Sequence, residues 1–111
     1  MNLKFEIRED KLIVHMSGEL DHHSAEEVRN KIDDVIEKDN VFKLILDFSG
    51  VSFMDSSGIG VVIGRYKKLN AKSGEVCIVN AINSVKRVFE LSGMFKIIKV
   101  YDNIDQAVDN I

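Results

Sequence analysis

The chain has 111 residues, of which 45% are hydrophobic and 30% charged, so it suits one globular domain rather than a disordered tail. Its formal net charge of −3 disfavours nucleic acid as a partner, because nucleic-acid-binding proteins usually present a basic face. The single cysteine excludes an intramolecular disulfide, and with neither a signal peptide nor an apolar run of ~20 residues we expect a cytoplasmic protein without a membrane partner.

The N-terminal segment predicts a β-hairpin. Apolar and polar residues alternate over residues 3–7 and again over residues 12–16, and Glu9 and Asp10 between them suit a turn. We expect the second strand to end at Gly18.

A helix and a buried strand follow the hairpin. Residues 19–23 are typical of a loop, and Ser24 and Glu27 match an S-x-x-E capping box. Apolar residues then recur at helical spacing, which predicts an amphipathic helix over residues 24–38. The nearly continuous apolar run at 44–48 is typical of a strand that is covered on both faces, as in parallel sheets.

The rest of the chain alternates helices and strands. The predicted segments are a helix over about 56–71, a strand at 76–79, a helix around 85–92, a strand at 97–100 and a helix at 104–111. Such alternation implies right-handed crossovers, so we predict one α/β domain over residues 1–111 with a mixed, mostly parallel sheet of about five strands and about four helices. The basic residues at 65, 67, 68 and 72 are predicted to form a solvated face.

The segment FMDSSGIG places two hydroxyl groups at the start of the second predicted helix. Asp55 or Ser56 fits the N-cap position, where a side-chain oxygen accepts a hydrogen bond from a free backbone N–H, and Ser57 falls in the first turn. A helix N-terminus tolerates a phosphate, and Gly58 and Gly60 would let another protein's active site approach the hydroxyl. The simpler alternative is a capped helix start whose glycines only permit close packing.

A small serine hydrolase, or a nucleotide-binding enzyme, is the alternative from another functional class. A nucleophilic serine needs a histidine within reach and an elbow of the form G-x-S-x-G, whereas Asp55 and Ile59 stand where the glycines around Ser57 would be. His15 lies on the less apolar face of its strand and is predicted to be structural. The other two histidines are adjacent in a loop without metal-ligand spacing, and no phosphate-binding loop occurs, so we expect no enzyme, cofactor or metal.

Three segments resemble a known family. GELDHHSAE at 18–26, LDFSGVSFMDSSGIGVVIGRYK at 46–67 and VKRVFELSGMFKII at 85–98 resemble the STAS domains of bacterial anti-sigma factor antagonists, most closely the sporulation branch. The resemblance covers nearly the whole chain. It implies a single STAS-like α/β domain with helices packed mainly on one side of the sheet.

The resemblance also implies a regulatory cycle. The unphosphorylated chain, a monomer when free, would bind an anti-sigma factor that is also a serine kinase, an ATP- or ADP-bound dimer, and so free the sporulation sigma factor. The kinase would phosphorylate the second serine of D-S-S-G, Ser57, and a serine phosphatase would remove the phosphate. The alternative within the family is a general-stress antagonist with a different kinase and sigma factor.

A partner-binding surface around the serines is predicted from the resemblance. Its residues are Glu19, Asp21, Met54, Asp55, Ser56, Ser57, Gly58, Ile59 and Gly60. We assign the helix cap to Ser56 and the phosphoryl acceptor to Ser57. Asp21 either pairs with a partner arginine, as Glu19 would, or merely organises its loop.

The apolar residues beside the serines are divided between core and surface. Phe53 and Ile63 are predicted to lie in the core. Met54, Ile59 and Val62 could be partly exposed and form a docking patch, because methionine makes adaptable contacts, although core packing suits Val62 better.

Overall fold

Five strands and four helices alternate along the chain in the predicted order. The structure is a computed structural model that describes residues 1–111. The elements are β1 Asn2–Arg8, β2 Lys11–Leu20, α1 Ala25–Lys38, β3 Lys43–Met54, α2 Ser56–Asn70, β4 Glu75–Val79, α3 Asn83–Ser92, a 3₁₀ turn Met94–Lys96, β5 Lys99–Tyr101 and α4 Ile104–Asn110. The last strand begins later than predicted, because the 3₁₀ turn places residues 97–98 outside the sheet. No helix of the fold is long and apolar enough to span a bilayer.

The strands form one sheet in the order β1-β2-β3-β4-β5. β1 and β2 pair antiparallel as the predicted hairpin, and the remaining neighbours pair parallel. Each pair of parallel strands is connected through a helix, which carries the chain back so that the next strand can run in the same direction. The predicted α/β class and mixed sheet are confirmed.

The two faces of the sheet are covered unequally. The larger core, with Leu12, Val14 and Leu46 from the sheet and Phe89 from α3, lies on the face that α1, α2 and α3 cover. The smaller core on the opposite face contains Ile13, Ile45, Cys77, Val79 and Ala107, the last from α4. Side chains on both faces of each central strand are therefore buried, which explains the continuous apolar runs.

The central pair of strands is longer than predicted. β2 does not end at Gly18 but continues to Leu20, and β3 does not end with the apolar run at 44–48 but continues to Met54. The pairing register shifts between His15 and Ser17 and again after Gly18, because β3 carries extra residues at both places. Such bulges break the two-residue alternation by which a strand is predicted.

The predicted capping box at the start of α1 is wrong. The Ser24 hydroxyl donates to the backbone oxygen of Glu19 at 2.7 Å and accepts from the backbone N–H of Asp21 at 3.1 Å, and it makes no cap hydrogen bond to the helix. Glu27 instead pairs with Lys31 one turn later at 2.8 Å. The loop before the helix therefore takes the hydroxyl that the motif assigned to the cap.

The predicted solvated basic face of α2 is only partly correct. Arg65 is buried, and its Nε lies 2.8 Å from Oδ1 of Asp33 in α1, an ion pair without hydrogen-bond alignment. Lys67 is exposed, and Lys68 pairs with Glu37 of α1 at 2.6 Å. These contacts cross between the two helices, so part of the basic cluster joins α1 to α2.

A polar bridge crosses the strands on the face opposite α1–α3. His15 of β2 donates from Nδ1 to Asp47 of β3 at 2.7 Å and from Nε2 to Glu6 of β1 at 2.9 Å. The side-chain amide of Asn80, just after β4, donates to the same Asp47 carboxylate at 3.2 Å. The predicted structural role of His15 is confirmed by this position.

The bridge favours a protonated His15. Hydrogen bonding to Glu6, supported by Asp47 and opposed by burial, raises the pKa of His15 above 6.5. Burial alone would raise the pKa of Asp47, but hydrogen bonds from the backbone N–H of Ser49, from His15 and from Asn80 lower it below 3.8.

We predict opposite effects of the same glycine-to-alanine change at two positions of α2. A Cβ at Gly64 would meet no atom within 4 Å, so Gly64→Ala should raise the free energy of unfolding by about 0.5–1 kcal/mol through helix propensity. A Cβ at Gly58 would overlap the buried Met54 side chain and lie 3.1 Å from Leu20 Cγ, so Gly58→Ala should lower it by about 1–3 kcal/mol. Urea unfolding of both variants measures the difference, and equal effects would contradict the packing described.

We also predict that stability falls as the pH rises from 6.5 through the folded-state pKa of His15. Because the pKa of His15 is raised in the folded state, its contribution is complete below 6.5 and is lost as the pH rises through the folded-state value. The loss should be about 1 kcal/mol, a modest value because the ring is partly solvated. Urea unfolding across this range, with His15→Gln as the non-titrating control, tests it; an equal decline in both proteins would assign the pH dependence to other groups.

Candidate functional site

The serine segment lies where the two central strands end together. Leu20 and Met54 are the last residues of β2 and β3 and face each other in the pairing register. The backbone N–H of Asp55 then donates to the backbone oxygen of Leu20 at 3.3 Å. As a result, the loop that leads into α1 and the first turn of α2 lie side by side at the carboxyl edge of the sheet.

Asp55, not Ser56, caps α2. Its Oδ1 accepts from the backbone N–H of Ser57 at 2.8 Å, while its extended backbone places it just outside the helix. Ser56 is the first helical residue and is exposed. The assignment of the cap to Ser56 is therefore wrong, because the β3 strand runs directly up to Asp55 and leaves it at the position where the chain turns into the helix.

The Asp55 carboxylate also joins the helix start to the neighbouring loop. Its Oδ2 accepts from the backbone N–H of His22 at 3.2 Å. Desolvation would raise the pKa of Asp55, but the hydrogen bonds from Ser57 and His22 outweigh it and hold the pKa below 3.8. The helix N-terminus thus already has a full negative charge beside it near neutral pH.

Asp21 organises the loop between β2 and α1. Its Oδ1 accepts from the backbone N–H groups of His23 at 2.9 Å and Ser24 at 3.1 Å. Of the two roles considered for Asp21, the loop-organising one is thus present in the free chain. Glu19 is exposed and forms no ion pair within 4 Å.

The predicted partner-binding residues differ in accessibility. Ser56 and Gly60 are exposed, and Asp55 and Ser57 are partly exposed. Met54, Gly58 and Ile59 are buried, so Met54 and Ile59 do not form the expected docking patch; like Val62, they pack in the core. The Met54 side chain packs against Gly58 and leaves no space for a Cβ there, whereas a Cβ at Gly60 would meet nothing within 4 Å.

Phe53 is the apolar residue that the sequence interpretation misplaced. It is 50% exposed rather than buried, and it pairs with Glu19 across the strands. The bulge in β3 puts its side chain on the face away from the large core, while Ile63 packs partly buried against that core. Ile82, in the loop after β4 at the same edge, is 43% exposed.

Ser57 lines a groove between α1 and α2. The groove has a volume of about 360 Å³, and His22, Glu26, Arg29 and Ser57 are among its lining residues. The His22 ring is exposed and stands edge-on to the His23 ring, with 5.4 Å between centroids. No hydrogen bond joins Ser57 to a histidine ring, and the histidine that does contact carboxylates, His15, is held by Glu6 and Asp47 in the sheet.

The sequence of the chain is similar to those of known regulatory proteins. It is 43% identical to an anti-sigma F factor antagonist of Paenibacillus polymyxa over 113 aligned residues, covering 100% of this chain and 97% of the relative. It is 31% identical to an anti-sigma-B factor antagonist of Listeria monocytogenes, with 90% of each chain covered.

The fold is similar to solved structures of the same kind. The anti-sigma factor antagonist SpoIIAA in its unphosphorylated form matches with a TM-score of 0.84 at 34% identity, covering 97% of this chain and 94% of that one. The Bacillus cell fate determinant SpoIIAA in the phosphorylated form matches with a TM-score of 0.75 at 33% identity, covering 97% of both chains. The family model for the STAS domain matches residues 2–107, and with these relatives it shows that the chain belongs to the STAS domain family.

Proposed function

We propose that this chain is an anti-sigma factor antagonist whose unphosphorylated form binds an anti-sigma factor that is also a serine kinase, and thereby releases the sporulation sigma factor. The observation that carries the proposal is the position of Ser57, partly exposed in the first turn of α2 on the rim of an open groove. The full-length similarity to an anti-sigma F factor antagonist supports it. In this role the protein is a substrate and a binding partner, not an enzyme.

Ser57 is the proposed phosphoryl acceptor. Its Oγ would attack the γ-phosphorus of ATP in the kinase, the bond from that phosphorus to ADP would break, and the hydroxyl proton would pass to a base of the kinase. No side chain of this protein is needed as the base, and Asp55 is already engaged by two backbone N–H groups. A serine phosphatase would return the protein to its binding form by transferring the phosphoryl group to water.

Phosphorylation would act on the docking surface rather than on the fold. It adds about −1.5 to −2 charges at pH 7, next to the charge that Asp55 already carries. A penalty of ~3 kcal/mol at the contact reduces the affinity for the kinase by more than a hundredfold. No buried group must move to admit the phosphate, because Ser57 opens onto the groove.

The proposed docking surface, which we call the switch edge, consists of exposed and partly exposed residues where β2, β3 and β4 end. Its members are Glu19, Asp21, Phe53, Asp55, Ser56, Ser57, Gly60 and Ile82. Phe53 and Ile82 supply apolar area, and Glu19 supplies a carboxylate that is free to accept a bidentate arginine of the partner. The partner is an ATP- or ADP-bound kinase dimer, and this chain is a monomer when free.

A general-stress antagonist is the second candidate function. This second function is supported by the 31% identity to an anti-sigma-B factor antagonist over 90% of the chain. The two candidates share the switch edge and differ in the kinase that fits it. Affinity for an anti-sigma F factor and an anti-sigma B factor, measured side by side, separates them.

We predict that the two serines differ in phosphorylation. After incubation with the anti-sigma factor kinase and ATP, the wild-type chain and Ser56→Ala should each gain one phosphoryl group, and Ser57→Ala should gain none. Ser56→Ala should change the free energy of unfolding by less than about 0.5 kcal/mol, because Asp55 supplies the cap. Intact mass and circular dichroism measure both properties; modification of Ser57→Ala together with none in Ser56→Ala would reverse the assignment.

We predict that Phe53→Ser weakens kinase binding at least about tenfold while leaving stability nearly unchanged. Its half-exposed ring contributes little to the core but offers an aromatic anchor to a partner. Phe42→Ser is the matched control, since that ring is 44% exposed just before the opposite end of the same strand. Calorimetric titration with the unphosphorylated proteins gives the affinities, and equal losses in the two variants would place the interface elsewhere.

A further inference from the structure

The position of Asp55 raises the question of which group neutralises a phosphate on Ser57. This inference rests on the proposed phosphorylation of that serine. A helix N-terminus usually favours a phosphate through its free N–H groups and dipole. Here, however, the N–H of Ser57 is taken by the Asp55 carboxylate and the N–H of Gly58 by the Asp55 backbone oxygen. These two N–H groups are therefore engaged within the chain, and the ionised Asp55 beside them opposes a second anion.

Arg29 is the available cation on the opposite wall of the groove. It is an exposed residue of α1, and it lines the same groove as Ser57. It forms no ion pair within 4 Å, although Asp33 lies one turn further along the same helix. The Asp33 carboxylate instead faces Arg65 and Lys68 of α2, at 2.8 Å and 3.9 Å.

Two lysines of these helices already pair with carboxylates and are therefore not free to bind a phosphate. Lys31 pairs with Glu27 at 2.8 Å, and Lys68 pairs with Glu37 at 2.6 Å. Glu26, which also lines the groove, adds negative charge there rather than neutralising it. Arg29 is thus the lining residue with a full positive charge and no carboxylate partner.

We propose that Arg29 of α1 binds the phosphoryl group on Ser57 of α2 across this groove, so that phosphorylation adds a bond between the two helices. A guanidinium donates two parallel N–H bonds to phosphate oxygens, which fixes the orientation of the group as well as its charge. The His22 ring at the rim adds a further N–H donor. The phosphorylated chain is then held in one conformation of the switch edge, with Arg29 no longer available to a partner.

The test uses phosphoserine installed at position 57 during translation, so that it does not depend on any kinase. Phosphorus NMR across pH 4.5–8 measures the second pKa of the phosphoserine, which is ordinarily about 6. Arg29 stabilises the dianion, so Arg29→Gln should raise this pKa by about half a pH unit relative to the wild-type chain. Arg29→Lys should give a smaller rise, because it keeps the charge but loses the bidentate geometry.

Lys38→Gln is the control for loss of a positive charge from the same helix. Lys38 lies in the last turn of α1, about 13 Å along the helix axis from Arg29, beyond one Debye length at physiological salt. The Lys38→Gln substitution should leave the phosphoserine pKa unchanged. Equal pKa values in the wild-type, Arg29→Gln and Lys38→Gln proteins would overturn the proposal.

The outcomes separate this inference from the proposed function. If the kinase leaves Ser57 unmodified while the installed phosphoserine still shows the Arg29-dependent shift, the proposed function fails and the groove interaction stands. If the kinase modifies Ser57 but the shift is absent, the proposed function stands and the role of Arg29 is wrong.

Discussion

The carboxylate of Asp55 is the interaction on which the candidate site depends. It receives one backbone N–H from the first turn of α2 and another from His22 in the loop before α1. Two segments that are 33 residues apart in the chain are thereby held at one edge of the sheet. The contact is available only because Leu20 and Met54 end their strands in register, which brings the loop and the helix start together.

The same carboxylate changes the electrostatics of the proposed switch. A bare helix start attracts a phosphate, whereas the ionised aspartate that caps this one repels a second anion and weakens that attraction. The fold therefore assigns two tasks to different residues of the D-S-S-G motif. Asp55 starts the helix, and Ser57 carries a hydroxyl that opens onto the groove, where a phosphate would meet the guanidinium of Arg29 rather than the helix dipole.

Stability and the proposed regulation depend on different parts of the sheet. The polar bridge of Glu6, His15 and Asp47 crosses three strands on the face opposite α1–α3, and its hydrogen bonds set the expected pH dependence of folding. The switch edge lies at the carboxyl ends of the strands, where exposed side chains such as Phe53 can change without disturbing either core. The proposed surface mechanism of regulation is consistent with this separation, because the switch edge consists of exposed and partly exposed residues.

Local patterns in the sequence determined the element order, the fold class and the position of the serine segment at a helix start, because apolar periodicity and helix-start residues depend only on near neighbours. Tertiary structure decided the features that depend on distant pairing. The bulges in β3 turned Phe53 outward, and the loop contact of Ser24 removed it from the cap. Asp33 pairs with Arg65, and Arg29, which lines the same groove as Ser57, has no carboxylate partner. The exposure of Phe53 and the unpaired guanidinium of Arg29 do not follow from neighbours in the chain, because each is set by a distant partner that only the tertiary structure brings into contact. The Ser24 contact is shorter in range, with Glu19 five residues back, but it depends on how the loop after β2 is folded.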